Sequence, residues 1–284
     1  MIDLQRIINS RQALTLASVP NGFVPLLLAD LTRATKTRTL YIAPDEAAMR
    51  AIADATPFFA PELEILILPG WDCLPYDRAS PSVAVTSQRM STLQALQQPA
   101  KKKQLVVTTI GAVIQKYVTP FRIRQTGERL AAGREISRER LASLLQSNGY
   151  FRVDTVADAG EFAIRGSIVD LFPAGSEVGL RLDFFGDEIE ELSYFEVSSQ
   201  RTTSPVIGKL SILPCRELLL SDEIRARAEG AKDKYPAALE ILDRMAQGII
   251  SEGMESLIPI LIKETETIFQ RVPKESEVVF IDDE

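Results

Sequence analysis

Short apolar segments that alternate with helical patterns are the feature that most constrains the fold of this chain. Three of them, at residues 39–43, 63–68 and 105–109, are dense in Ile, Leu and Val without strict alternation. That composition is typical of strands buried on both faces of a sheet. Because strands that alternate with helices are joined by βαβ crossovers, we predict an α/β fold with a parallel-sheet, nucleotide-fold-like lobe over residues 1–121.

The central part of the chain begins with a charged segment and a helix. Residues 122–140 contain six arginines and three glutamates, a local balance of +3. Ser137 has the chemistry of a helix N-cap, and Glu139 would favour the helix dipole in the first turn. Gly149 is suited to end this helix, because glycine readily adopts the left-handed conformation just past a helix end.

After that helix the hydrophobic period changes to two. Within residues 179–185, Leu180, Leu182 and Phe184 alternate with Arg181, Asp183 and Phe185, and Gly186 stands where a type II′ turn requires glycine. A hairpin is therefore predicted, with a return strand at 188–197 that loses alternation part-way and so indicates a bulge. Together with a strand pair over 161–172, this predicts a small α+β domain at residues 122–214, inserted into or following the first lobe.

The last part of the sequence returns to helical spacing. Residues 224–232, 237–247 and 261–270 carry helical patterns, and 278–281 form an apolar strand. We expect residues 215–284 to be a helical and strand segment, and we expect the whole sequence to be a fragment of a longer protein.

Composition excludes several kinds of chemistry. The chain has no histidine, so a Ser-His-Asp triad, His-ligated zinc and HExxH chemistry are unavailable. Cys73 and Cys215 lie too far apart for a metal knuckle. The net charge of −7 opposes tight sequence-independent DNA binding. With no secretory signal or long apolar run, we expect a cytoplasmic globular protein without membrane contact, catalytic residues or a metal site.

The loop before the first predicted long helix stands where a phosphate-binding loop would stand. It reads Ser18, Val19, Pro20, Asn21, Gly22. A Walker A loop needs the pattern GxxxxGK[ST], so that backbone N–H groups, a lysine and a hydroxyl converge on phosphate. Of that pattern only Gly22 is present, and Pro20 removes a donor. We therefore interpret the loop as a degenerate nucleotide loop that does not support ATP hydrolysis.

An aromatic loop follows the second predicted strand, over residues 69–77. Its aromatic side chains, Trp71 and Tyr76, could stack on nucleic-acid bases. Because no Lys or Arg is interleaved before Arg78, a structural role over the sheet edge is the favoured interpretation.

One face of the predicted hairpin has no obvious interior to enter. Arg181, Asp183 and Phe185 alternate away from the apolar side chains of the same strand. Arg165, in the preceding strand, should point outward as well. Exposed aromatic and arginine side chains are enriched at the energetic centres of protein interfaces. A docking surface is therefore the favoured interpretation, and cover of Phe185 by another part of the same chain is the alternative.

Five separated segments resemble, in the same order, the N-terminal part of the bacterial transcription-repair coupling factor (Mfd) family. They are LPGWDCLPYD (68–77), SQRMSTLQAL (87–96), GYFRVDTV (149–156), GEFAIRGSIVDLFP (160–173) and LRLDFFGDEIE (180–190). The resemblance covers residues 15–215 well and the remainder only loosely. It implies a module similar to UvrB, with a degenerate domain 1a over 1–121, domain 2 over 122–214 and a domain 1b-like segment over 215–284.

The resemblance also implies a function. In that family domain 2 imitates the surface with which UvrB binds UvrA, and the docking positions correspond here to Arg165, Arg181 and Phe185. The chain would be a non-catalytic adaptor without cofactor that recruits UvrA to stalled RNA polymerase for nucleotide excision repair. The ATP- and magnesium-dependent translocase, the contacts to RNA polymerase and DNA, and a C-terminal domain that covers the docking face would all lie beyond this sequence.

Two departures from UvrB and two rival functions accompany this interpretation. The Walker A loop is lost, and residues 78–86 are too few to hold a DNA-threading hairpin. One rival is a degenerate nucleotide-binding module that uses Asp282, Asp283 and Glu284 with magnesium. The other is a nucleic-acid module that uses the lysines at 101–103 and the arginine-rich stretch at 122–140.

Overall fold

The computed structural model describes residues 4–10, 12, 14–17, 19–36, 38–74, 77–119, 128–206, 208–272 and 276–280. The α-helices are, in chain order, α1 Leu4–Asn9, α2 Val24–Ala34, α3 Glu46–Phe59, α4 Val83–Ala95, α5 Ile110–Val113, α6 Arg138–Ser147, α7 Asp222–Ala231, α8 Leu239–Ala246, α9 Ile258–Leu261 and α10 Ile268–Arg271. Short 3₁₀ helices cover Asn21–Phe23, Pro236–Ala238 and Met254–Leu257.

The strands are β1 Arg38–Ala43, β2 Glu64–Leu68, β3 Gln104–Thr109, β4 Tyr117–Val118, β5 Glu128–Leu130, β6 Phe151–Arg152, β7 Glu161–Arg165, β8 Ile168–Leu171, β9 Gly179–Phe185, β10 Glu188–Glu196, β11 Arg201–Pro205, β12 Leu210–Ile212, β13 Thr265–Glu266 and β14 Glu277–Phe280. The chain divides into two compact units. The first unit contains residues 1–70, 92–117 and 266–284, and the second contains residues 71–91 and 118–265.

The first unit is built on a parallel sheet with the strand order β14-β1-β3-β2. Every residue of β1 and β3 is buried, which explains why these strands appear in the sequence as continuous apolar runs. Helices α2 and α3 pack on the sheet through Leu28, Met49 and Ile52. The Asp45 side chain begins α3 by accepting a hydrogen bond from Ala48 N at 2.8 Å. The predicted parallel α/β fold is confirmed.

The second unit is built on a six-stranded sheet with the order β11-β10-β9-β8-β7-β6. Its pairs are antiparallel except for the short pair β6 and β7. One face of the sheet carries buried apolar side chains from neighbouring strands, among them Phe162, Val169, Leu182 and Leu192. The predicted α+β character of this region is confirmed.

The local signals that predicted this unit correspond to observed geometry. Ser137 accepts a hydrogen bond from Arg140 N at 3.2 Å and begins α6, and Gly149 follows the helix with φ +86°. At the β9–β10 turn Gly186 has φ +62°, which favours glycine there. The predicted bulge is present, because the β9–β10 register shifts between Ile189 and Glu191.

Buried ion pairs connect distant segments of the second unit. Arg89 Nε lies 2.5 Å from Glu217 Oε1, and both side chains are fully buried. Arg216 Nη1 lies 2.8 Å from Glu255 Oε1, also buried. Removing one partner of such a pair would leave an uncompensated charge in the interior. These pairs connect Glu217 to a segment before it and Arg216 to a segment after it in the chain.

The unit boundaries differ from the predicted ranges 1–121, 122–214 and 215–284. Residues 71–91 and 215–265 both belong to the second unit. The first unit instead receives its last strand, β14, from residues 277–280. Periodicity along the sequence does not report such pairing between segments that are distant in the chain.

The helix predicted over residues 261–270 is wrong. Helix α9 ends at Leu261, and residues 265–266 form β13. Thr267 N then donates to Gln270 Oε1 at 2.8 Å at the start of α10. A polar side chain that bonds the backbone at this point ends one element and begins another.

The sequence predicts neither a membrane span nor a metal site, and the described part of the chain bears on both. There, no helix combines the length and the apolar character that a membrane span needs. The same residues include no group of three or more His, Cys, Asp and Glu side chains with the spacing of a metal site.

A substitution at Gly179 tests the packing of the six-stranded sheet. Gly179 pairs with Phe195 of β10, and a methyl group on Gly179 would lie 2.3 Å from Cε1 of that buried ring. We expect Gly179→Ala to lower the free energy of unfolding by about 1–3 kcal/mol through overpacking, measured by urea denaturation. Gly230→Ala in α7 is the matched control, because a methyl group there has open space and should stabilise by about 0.5–1 kcal/mol. Equal unfolding midpoints for Gly179→Ala and the parent would contradict the packing.

The two cysteines should differ in reactivity. Burial raises the pKa of the Cys215 thiol from 9.0 to about 12, so at pH 8 only about one molecule in ten thousand carries the thiolate. Cys73 is half-buried. In a DTNB titration of the native protein at pH 8 we expect reaction at Cys73, with Cys215 reacting only after denaturant is added. In Cys73→Ser protein the native state should have no fast thiol, and a fast thiol there would contradict the burial of Cys215.

Candidate functional site

The hairpin face that the alternation singled out is present in the second unit. Along β9, Leu180, Leu182 and Phe184 are buried on one face. Arg181 and Phe185 therefore lie on the opposite face. The Phe185 ring stands beside the β9–β10 turn and is 78% exposed. Within the described part of the chain, Phe185 is therefore not covered by another segment, contrary to the alternative interpretation.

Strand register brings Arg165 to the same face. Arg165 pairs with Ile168 at the β7–β8 turn, and Ile168 pairs with Asp183 of β9. Asp183 lies between Arg181 and Phe185 on their face of β9, because side chains two residues apart point the same way. We call this surface, defined by Arg165, Arg181 and Phe185, the arginine face.

A buried carboxylate holds both guanidinium groups of the arginine face. Asp170 of β8 is the direct cross-strand partner of Arg181. Arg181 Nε donates to Asp170 Oδ1 at 2.7 Å, and Arg181 Nη2 donates to Oδ2 at 2.9 Å. Arg165 Nη2 donates to the same Oδ2. We call Arg165, Asp170 and Arg181 the arginine triad.

Two further contacts fix the Arg181 guanidinium. Its Nη1 donates to Thr202 Oγ1 of β11 at 3.1 Å. Its central carbon lies 5.1 Å from the centroid of the Phe195 ring, in the range of a cation–π contact. Hydrogen bonding to Asp170 raises the pKa of Arg181, while partial burial acts in the opposite direction. The guanidinium therefore stays charged throughout the accessible pH range.

The structure corrects the expectation that both arginines project freely into solvent. The Arg165 side chain is 45% exposed, as expected. The Arg181 side chain is only 14% exposed, because Asp170, Thr202 and Phe195 surround its guanidinium. The direction given by the alternation is right, and the degree of exposure is wrong for Arg181.

Sequence reasoning missed Asp170. The signal was available, because Asp170 is an acid inside the apolar strand Ile168–Leu171 and an unpaired carboxylate there would be costly to bury. Identifying its partners needed the strand register, which the sequence did not supply.

Among the residues that the structure describes, the remaining candidates show no site of comparable construction. In the degenerate nucleotide loop, Val19 packs against the core of the first unit, and Phe23 N donates to Pro20 O at 2.8 Å. Asn21 and Gly22 belong to a 3₁₀ turn. Ser18 of that loop lies outside the described residues, as do Asp282, Asp283, Glu284 and residues 122–127.

The aromatic loop makes structural contacts. Trp71 Nε1 donates to Glu217 Oε1 at 3.2 Å, and the Arg89 guanidinium lies 5.9 Å from the Trp71 ring centroid. Tyr76 lies outside the described residues. Trp71 is therefore engaged with Glu217 and Arg89 of its own unit, and the predicted cover of the sheet edge stays a prediction.

The arginine face lies within a recognised domain family. Residues 129–218 match the family model described as the UvrB interaction domain, a range that contains the whole arginine triad and Phe185. By this match, the chain is of the class of proteins that carry a UvrB interaction domain.

Comparison with known proteins narrows the identification. The chain is 32% identical over 277 residues to the transcription-repair-coupling factor of Myxococcus xanthus, covering 90% of this chain and 23% of that protein. It is 35% identical over 211 residues to that of Mycobacterium bovis (69% and 17%). It is 31% identical over 246 residues to that of Escherichia coli K12 (84% and 21%). The chain belongs to the transcription-repair-coupling factor family, and it spans about a fifth of the length of these relatives.

Proposed function

We propose that this chain is a non-catalytic docking module that recruits UvrA through the arginine face, as UvrB would. The observation that carries the proposal is the exposed Phe185 ring beside two arginines that are held in place. Covering a benzyl group that is 78% exposed with a partner surface is favourable in free energy. Aromatic and arginine side chains grouped in this way are typical of the residues that dominate protein interfaces.

The nucleotide alternative has less support. Phosphate binding at a helix N-terminus uses free backbone N–H groups. Pro20 directly precedes the 3₁₀ helix Asn21–Phe23, and Pro25 lies in the first turn of α2. Neither residue has a backbone N–H group. We therefore propose that the chain acts without a nucleotide cofactor, and that ATP turnover, RNA polymerase binding and DNA translocation belong to other parts of the longer relatives.

Replacement of the exposed ring gives the direct test. Calorimetric titration of purified UvrA with Phe185→Ala protein should give a dissociation constant about 30-fold weaker than that of the parent, as expected for the loss of about 2 kcal/mol at an interface anchor. Because the ring is exposed, the unfolding midpoint should stay unchanged.

The matched control for this test is Phe58→Ala. Phe58 is 85% exposed and belongs to the first unit, so this substitution removes the same group from a unit that does not contain the arginine face. It should bind UvrA as the parent does. If Phe185→Ala also retains the parent's affinity, the arginine face is not the docking surface.

The proposal also predicts masking in longer chains. In a full-length relative, a C-terminal domain over the arginine face would compete with UvrA, so the isolated chain should bind UvrA more tightly. Titration of both proteins under the same conditions measures this difference. Equal affinities would argue against a covered face.

A further inference from the structure

The Asp170 carboxylate accepts three hydrogen bonds from the two arginines of the triad. Asp170 is 1% exposed, and its Oδ1 accepts from Arg181 Nε while its Oδ2 accepts from Arg181 Nη2 and from Arg165 Nη2. The Arg181 contact is bidentate, which fixes the plane of the guanidinium as well as its position. The carboxylate thus determines where both cations stand on the sheet.

The donors that remain define what the triad can bind. A guanidinium has five N–H donors. Arg181 uses one each toward Asp170 Oδ1, Asp170 Oδ2 and Thr202 Oγ1, which leaves two. Arg165 uses one toward Asp170 and is 45% exposed. Unused donors therefore remain on both residues, and the Arg181 side chain, although mostly buried, keeps 14% of its surface exposed.

We infer that Asp170 is a positioning residue for partner recognition: it holds Arg165 and Arg181 so that their unused N–H donors together receive a carboxylate of the docking partner. This inference rests on the proposed function. Fixing the side chains in advance lowers the entropy lost on binding. Lysine cannot take the place of Arg181. Its ammonium is not planar, so it cannot bind both oxygens of Asp170 through one edge and a second acceptor through the other edge, as a guanidinium can.

Net charge and positioning make opposite predictions. Asp170→Asn removes one negative charge from the face, so charge alone would strengthen binding to an acidic partner. Positioning predicts weaker binding. The amide of Asn has only one acceptor oxygen, and its NH₂ group donates, so it cannot hold both guanidinium groups as the carboxylate does. The sign of the change therefore separates the two explanations.

The experiment is a calorimetric titration of purified UvrA with Asp170→Asn protein. We expect affinity to fall about tenfold, the effect of losing charge-assisted hydrogen bonds that organise the site. In an Arg165→Ala, Arg181→Ala background the same substitution should have no effect, because it has no cation left to position.

Glu217→Gln is the control for a general loss of stability. Glu217 is another buried carboxylate of the same unit, paired with Arg89 and not with the triad. It should lower stability yet leave UvrA affinity at the parent's value. If Glu217→Gln and Asp170→Asn weaken binding equally, or if Asp170→Asn binds as well as the parent, the positioning role is refuted.

A second readout does not require UvrA. In the parent, the Arg181 Nε–H proton should give a resolved, slowly exchanging NMR signal because it is bonded to Asp170, and Asp170→Asn should abolish this slow exchange. An unchanged signal would overturn the positioning role by itself. The proposed function fails separately, if the parent and Phe185→Ala bind UvrA alike or if the parent does not bind it.

Discussion

The burial of one carboxylate between two guanidinium groups organises the surface on which the proposed function depends. Asp170 stands in the middle of a sheet, where an unpaired charge would be strongly unfavourable. Its two arginines neutralise it, and it in turn orders them. Phe195, packed against Gly179, provides the floor for one guanidinium. Asp170, although buried within the sheet, thereby also determines where the two arginines of the surface stand.

Much of the fold was accessible from the sequence because its signals are local. The buried strands β1 and β3, the Ser137 cap and the Gly186 turn each depend on residues within a few positions of one another. The unit boundaries and the pairing of β14 with β1 depend on contacts between segments far apart in the chain, and no periodicity encodes them. The wrong helix over residues 261–270 has a different cause, since the Gln270 side chain there accepts a hydrogen bond from the backbone N–H of Thr267 at the start of a new helix.

The sequence predicted which side chains of the candidate site point outward, and it did not predict their contacts. Alternation along β9 was enough to place Arg181 and Phe185 on one face, and it gave the exposure of Phe185 correctly. It could not give the exposure of Arg181, which depends on Asp170 from β8 and Thr202 from β11. Cross-strand partners follow from register, and register becomes known only when the turns and bulges between the strands are known.

The pairing of β14 with β1 has a consequence for the order of folding during synthesis. The first strand of this pair is made early, at residues 38–43, and its neighbour at 277–280 is made only after all residues of the second unit. During translation, residues 118–265, which contain the whole six-stranded sheet, therefore emerge from the ribosome before β14 can join the edge of the parallel sheet. Until then the backbone N–H and C=O groups on that edge of β1 have no strand partner. A nascent chain with such an exposed edge is prone to aggregate, and chaperones bind chains of this kind.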